Sequence, residues 1–143
     1  MPTSAIANRT PAGNPIGEPT IRTVAMPADT NPSGDIFGGW LMSQMDIAGG
    51  IVAMRRARGR VATVAVDAMT FIAPVAVGDE VSLYAALVGT GRSSIRVFTE
   101  AWKRNRYFET FVKVTEGTFV FVAIGEDRRP VPLPPAGDGN DRV

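Results

Sequence analysis

The sequence predicts an α+β fold in which one long helix packs against a curved antiparallel sheet, and three observations predict it. Apolar residues recur at helical spacing over one stretch, Gly38 to Arg58. Four stretches rich in Val, Ile, Thr, Phe and Tyr follow, divided by turn signals. A length of 143 residues with 45% hydrophobic content suits a single domain with one core.

The elements follow in order. Four of the eleven prolines fall by residue 19 and four more between Pro130 and Pro135. Residues 1–18 are therefore expected to be a disordered tail and residues 127–143 a Pro/Gly-rich one, around a domain at 19–126. Thr20 to Met26 reads as a first strand and the turn-rich stretch 27–35 as a loop. In the helix, Leu41, Met42, Met45, Ala48, Val52 and Met54 give the period, and arginines in the last turns favour the helix dipole. Gly49 and Gly50 lie inside it, where each glycine costs about 1 kcal/mol relative to alanine. Something must approach that surface closely: the sheet, a ligand or a second subunit. Strands are then expected at Arg60–Thr70, Asp79–Gly89, Ser94–Lys103 and Phe111–Ile124, with turns marked by Pro74, Gly78-Asp79, Gly89-x-Gly91 and Asn105.

Composition excludes several chemistries. With no cysteine and no histidine, no disulfide framework, thiol nucleophile, Cys/His zinc site or Ser-His-Asp triad can be built. A formal net charge of +1 gives no case for a nucleic-acid binder. Neither a signal peptide nor an apolar run of spanning length is visible, so a cytoplasmic protein with no membrane partner is expected.

One residue stands out. Asp46 lies in the middle of the apolar helix, one turn after Met42 and beside Met45. An ionised carboxylate in apolar surroundings sheds its charge, finds a cation or does chemistry.

The pattern N-x-x-G-D-x-x-G-G-x-x-x-x-x-x-D, running from Asn31 to Asp46, together with the stretch from Val64 to Trp102, resembles the hotdog-fold acyl-CoA thioesterases, in particular the bacterial broad-specificity acyl-CoA hydrolases. The similarity covers about residues 20 to 125. It implies a central helix wrapped by the sheet, dimers whose sheets join side by side, and often a trimer of such dimers. It also implies hydrolysis of acyl-CoA to free acid and CoA with no cofactor, CoA being part of the substrate. The family's catalytic carboxylate falls on Asp46, and its carbonyl-polarising backbone N–H on Gly38 or Gly39. Asn31 and Asp35 lie in the matching active-site loop.

Physical reasoning agrees with this mapping. The start of a helix offers unpaired N–H groups and a partial positive charge, and glycine lets a ligand approach. Gly38 and Asp46 are eight residues apart, hence about 12 Å along one helix at 1.5 Å per residue, too far to act on one carbonyl. Each site is therefore expected to draw on two chains, which makes the homodimer the smallest active unit.

For the rest of CoA, the backbone of Val64 to Asp67 and the turn Gly91-Arg92-Ser93-Ser94 are candidate hydrogen-bonding partners of the pantetheine arm. Arg58, Arg60, Arg92, Lys103 and Arg104 are candidates for the nucleotide phosphates. Phe71, Phe98, Trp102, Phe119 and Phe121 are expected in the core, and Trp40 as a wall of the acyl pocket. Two rival readings share the fold. A hotdog dehydratase needs a histidine that this chain lacks, whereas a non-catalytic acyl-CoA-sensing module would need no acid at position 46. A purely structural oligomer is the third rival, and the glycine-rich helix start with its mid-helix acid speaks against it.

Overall fold

The computed structural model describes residues 13–137. Its elements run β1 (Ile21–Val24), a 3-10 turn (Pro27–Asp29), α1 (Gly38–Ala57), β2 (Val61–Phe71), β3 (Glu80–Thr90), β4 (Ser94–Arg104) and β5 (Phe111–Ala123). Each expected strand forms, with ends within two residues of those read from the sequence. Helix α1 stops where expected: Arg58 turns left-handed (φ 54°) and donates its N–H to the Met54 carbonyl at 2.8 Å.

The strands form one antiparallel sheet in the order β1-β3-β4-β5-β2, with α1 lying across one face against β3 and β4. This is the hotdog arrangement. Alternation along β4 decides which side chains meet the helix. Ile95, Val97 and Ala101 join Leu41, Met45, Ala48 and Ala53 in the core, together with Phe119 and Phe121 of β5. The intervening Phe98, Glu100 and Trp102 face the other side, yet they too are buried. Lys113 covers them, pairing with Glu100 at 2.6 Å and with Glu116, and lying 6.0 Å from the Trp102 ring centre.

Gly49 is there for the sheet. A Cβ at this position would lie 3.1 Å from the Phe121 ring and 3.5 Å from Thr99 Cγ2, so helix and sheet approach as closely as they do because the side chain is missing. Of the aromatics expected in the core, Phe98, Trp102, Phe119 and Phe121 are buried. Phe71 corrects that expectation: it is 46% exposed, because it ends β2, the edge strand, where no neighbouring strand covers it.

The proline-rich stretch after β5 is extended and docked. Val131 N–H bonds to the Ala123 carbonyl (2.9 Å), Leu133 N–H to the Arg92 carbonyl (2.8 Å), and Arg56 donates to the Pro134 carbonyl (2.7 Å). Leu133 packs against the core. The outer parts of both expected tails, residues 1–12 and 138–143, lie outside the described residues. No helix among the described residues is long and apolar enough to cross a membrane.

Candidate active site

The loop before α1 is wound around Asn31. Its side-chain carbonyl accepts the backbone N–H groups of Ser33 and Asp35, both at 3.0 Å, while its own N–H donates to the Asp35 carbonyl at 2.7 Å. A bridge between Thr30 and Ile36, and a 2.9 Å bond from Phe37 N–H to the Asp29 carbonyl, close the loop and fix where the helix begins. Asn31 and Asp35 therefore shape this entry, and the Asn31 side-chain amide has no acceptor among the described residues.

Helix α1 starts without a cap. Phe37, at the N-cap, supplies no side-chain acceptor, and the first turn holds no acid. Trp40 and Leu41 turn their N–H groups back to the Phe37 carbonyl, at 3.1 and 3.3 Å. The N–H groups of Gly38 and Gly39 find no acceptor among the described residues. Two unpaired donors at the positive end of a 20-residue helix make a place for an oxyanion. Beside them opens an apolar cleft of about 330 Å³ walled by Ile36, Leu41, Phe71, Ile72 and Val75, with the Phe71 ring resting on Gly38.

Asp46 lies half-buried more than two turns along α1, on the flank that meets β2. Its Oδ1 accepts a 2.6 Å hydrogen bond from the Thr63 hydroxyl. Met42, Ser43, Thr63, Val66 and Phe119 surround the carboxylate in a second cleft of about 260 Å³. No cation pairs with it among the described residues. The two clefts share no wall residue, as expected for groups about 12 Å apart along one helix. Thr63 was not singled out by the sequence, since a threonine in a strand carries no signal until β2 is seen to run beside α1.

The other expected site residues are dispersed. Trp40 packs partly against the core and lines neither cleft, whereas Leu41 and Phe71 line the first and Val66 the second. Val64 is exposed on the edge strand, whereas the Asp67 side chain is ion-paired with Arg96. The turn after β3 uses much of its backbone within the chain: Gly91 N–H bonds to the Ser94 carbonyl at 2.9 Å, and the carbonyls of Arg92 and Ser93 accept from Leu133 and Ala123. The five basic residues divide between the two ends of the molecule. Arg58, Arg60 and Arg92 are exposed at the end where α1 stops. Lys103 and Arg104 lie at the far end of β4, about 33 Å from its start at 3.3 Å per residue. There Lys103 donates to the Pro74 carbonyl, and Arg104 pairs with Glu80 (2.9 Å) and Glu109 (3.2 Å). The hydrogen bond that Arg104 donates to Glu80 raises its guanidinium above the ordinary range.

Comparison with known proteins places the sequence and the fold in a family. Residues 33–108 match the family model described as the thioesterase superfamily. The acyl-CoA thioester hydrolase YciA of Salmonella typhimurium is 53% identical over 126 residues, 86% of this chain and 95% of that protein. Among solved structures, the hexameric thioesterase y2039 of Yersinia pestis superposes with a TM-score of 0.80 at 53% identity, covering 85% of this chain and 98% of that one. HI0827, a hexameric broad-specificity acyl-coenzyme A thioesterase, gives 0.79 at 46% identity, covering 85% and 84%. With its helix and sheet, its glycine-led helix start and these relatives, the chain belongs to the thioesterase superfamily.

Proposed function

We propose that this protein hydrolyses acyl-CoA thioesters to free acid and CoA, at sites shared between two copies of the chain. The observation that carries this reading is the half-buried Asp46, held by Thr63 in a cleft where no cation among the described residues neutralises it. The relatives support the same substrate class, since their names describe acyl-CoA thioester hydrolases and broad-specificity acyl-CoA thioesterases.

In this reading the thioester carbonyl oxygen points at the free N–H groups of Gly38 and Gly39, which stabilise the negative charge that develops as the carbonyl carbon becomes tetrahedral. The Asp46 carboxylate of a second copy acts on that carbon. It either takes a proton from the attacking water or adds to the carbon itself, and both routes use the same placement. The C–S bond breaks and CoA leaves as a thiolate that gains a proton; water supplies the acid's second oxygen directly in the first route, and in the second it cleaves the acyl–Asp46 anhydride, releasing the acid and restoring the carboxylate. With no histidine in the chain, the carboxylate carries the proton traffic.

Oligomerisation follows from the same geometry. Strand β2 leaves one edge without a neighbour among the described residues and exposes Val64 and Phe71, with Ile72 exposed just after it, while α1 exposes Ile47 and Met54. Two such edges joined about a two-fold axis cover this surface and bring one chain's Asp46 toward the other's helix start. The hexameric relatives are compatible with three such dimers. For the nucleotide phosphates, Arg58, Arg60 and Arg92 are the candidates exposed in one cluster. Release of free thiol from acyl-CoA by the purified protein tests the reading, and no release from any chain length would end it.

A further inference from the structure

Granting the hydrolysis proposed above, we infer that Phe71 sets acyl-chain selectivity: its ring stands against Gly38 at the apolar cleft, and the size of residue 71 decides which acyl groups pass from the oxyanion donors into that cleft.

The three atoms nearest to a Cβ built on Gly38 all belong to the Phe71 ring, the closest at 3.2 Å. Gly38 and Phe71 are both walls of the cleft of about 330 Å³. An acyl chain whose carbonyl rests on the Gly38 N–H therefore meets this ring with its first carbons. The other large walls are less free to vary. Ile36, Leu41 and Val75 are buried members of the core, so changing them disturbs the fold as well as the cleft. Phe71 is half-exposed and lies outside that core cluster. Ile72 is exposed too, but it supplies none of the three atoms nearest to Gly38.

An irregularity in β2 puts the ring there. Val66 faces the helix side, where it packs against the core, and in a regular strand Phe71, five residues on, would face away. Asp67 pairs with Thr118 but Thr70 with Glu116, so Ala68 and Met69 together stand opposite Gly117 alone. This extra residue returns Phe71 to the helix side. Ala68 takes a left-handed φ of 37° at the bulge, which a residue with a Cβ rarely adopts. Backbone strain is thus retained at the point that aims Phe71 at the helix start. Beyond the bulge the backbone is pinned. Phe71 pairs with Thr115, whose hydroxyl donates to the Thr70 carbonyl at 2.5 Å, and the Ile72 N–H bonds to the Val114 carbonyl at 2.6 Å. A change of side chain at position 71 reshapes the cleft and leaves the strand in place.

The experiment measures kcat/KM for acetyl-, butyryl-, octanoyl- and decanoyl-CoA with wild type, Phe71→Ala, Phe71→Leu, Phe71→Trp and Ile72→Ala. In Phe71→Ala the ratio of octanoyl- to acetyl-CoA should rise by about tenfold, the discrimination that a methylene-sized change in an apolar pocket can supply. Leucine should give a smaller rise and tryptophan a fall. Ile72→Ala should leave the ratio within about twofold of wild type. The ratio is the readout because poorer folding or assembly lowers turnover of every substrate alike. An unchanged ratio in Phe71→Ala and Phe71→Leu overturns the inference. So does an equal loss on all four substrates, or a shift as large in Ile72→Ala. No turnover of any acyl-CoA by the wild type would overturn the hydrolysis reading itself, and the inference with it.

Discussion

Gly38 and Asp46 stand on one rigid helix, about 12 Å apart along its axis, and each borders its own cleft. Neither can reach a carbonyl bound at the other within one chain. An Asp46→Ala protein and a Gly38→Pro protein, which lacks the N–H, should each be inactive. Mixed and allowed to exchange subunits, they should regain activity, since one site of each heterodimer is whole. Gly38→Ala crowds Phe71 equally but keeps the N–H, and should retain most activity. Exchange shown by mass spectrometry with no recovered turnover would disprove the shared site.

The two adjacent glycines of α1 should respond oppositely to alanine. At Gly49 the new Cβ meets the Phe121 ring at 3.1 Å, whereas at Gly50 the nearest atom lies at an ordinary 3.9 Å. Overpacking of about 1–3 kcal/mol outweighs the helix-propensity gain of up to about 1 kcal/mol in Gly49→Ala, which should unfold at lower denaturant. Gly50→Ala keeps the gain and should be stabilised by about 0.5–1 kcal/mol. Urea melts at fixed protein concentration measure both, and an equal loss in Gly50→Ala would mean that a second chain packs on this glycine.

Much of this architecture is legible in the sequence because its signals are local. The period of Leu41, Met45, Ala48 and Val52 specifies the helix, and alternation along Ser94–Arg104 specifies a strand with two distinct faces. The Gly38-Gly39 start and Asp46 are legible for the same reason, being fixed by spacing on one element. What the sequence hides depends on how elements meet. Thr63 becomes a partner of Asp46 only when β2 runs beside α1. The division of Arg92 from Lys103 follows from the length of β4, and Phe71 is uncovered because β2 lies at the edge of the sheet. The prolines after Pro130 look like a tail, yet Leu133 finds the core.

The nucleotide should be read by the arginines at the end of α1. Arg60 and Arg92 are exposed there, whereas Arg104 is engaged by Glu80. Replacing Arg60 and Arg92 together by alanine should raise KM for acyl-CoA roughly five- to thirtyfold with kcat little changed, as exposed ionic contacts are weak and made equally before and during reaction. An acyl-pantetheine substrate should ignore the change. Equal losses on both substrates would show that these arginines support the fold.

The proposed hydrolysis depends most heavily on Asp46. The direct measurement is thiol release from acyl-CoA by wild type and by Asp46→Ala and Asp46→Asn, with folding and assembly of each checked by circular dichroism and light scattering. Both variants should assemble normally and lose about 10²- to 10⁴-fold in kcat, the usual contribution of a positioned acid/base group. Turnover near the wild-type rate in a folded Asp46→Ala protein would contradict the account.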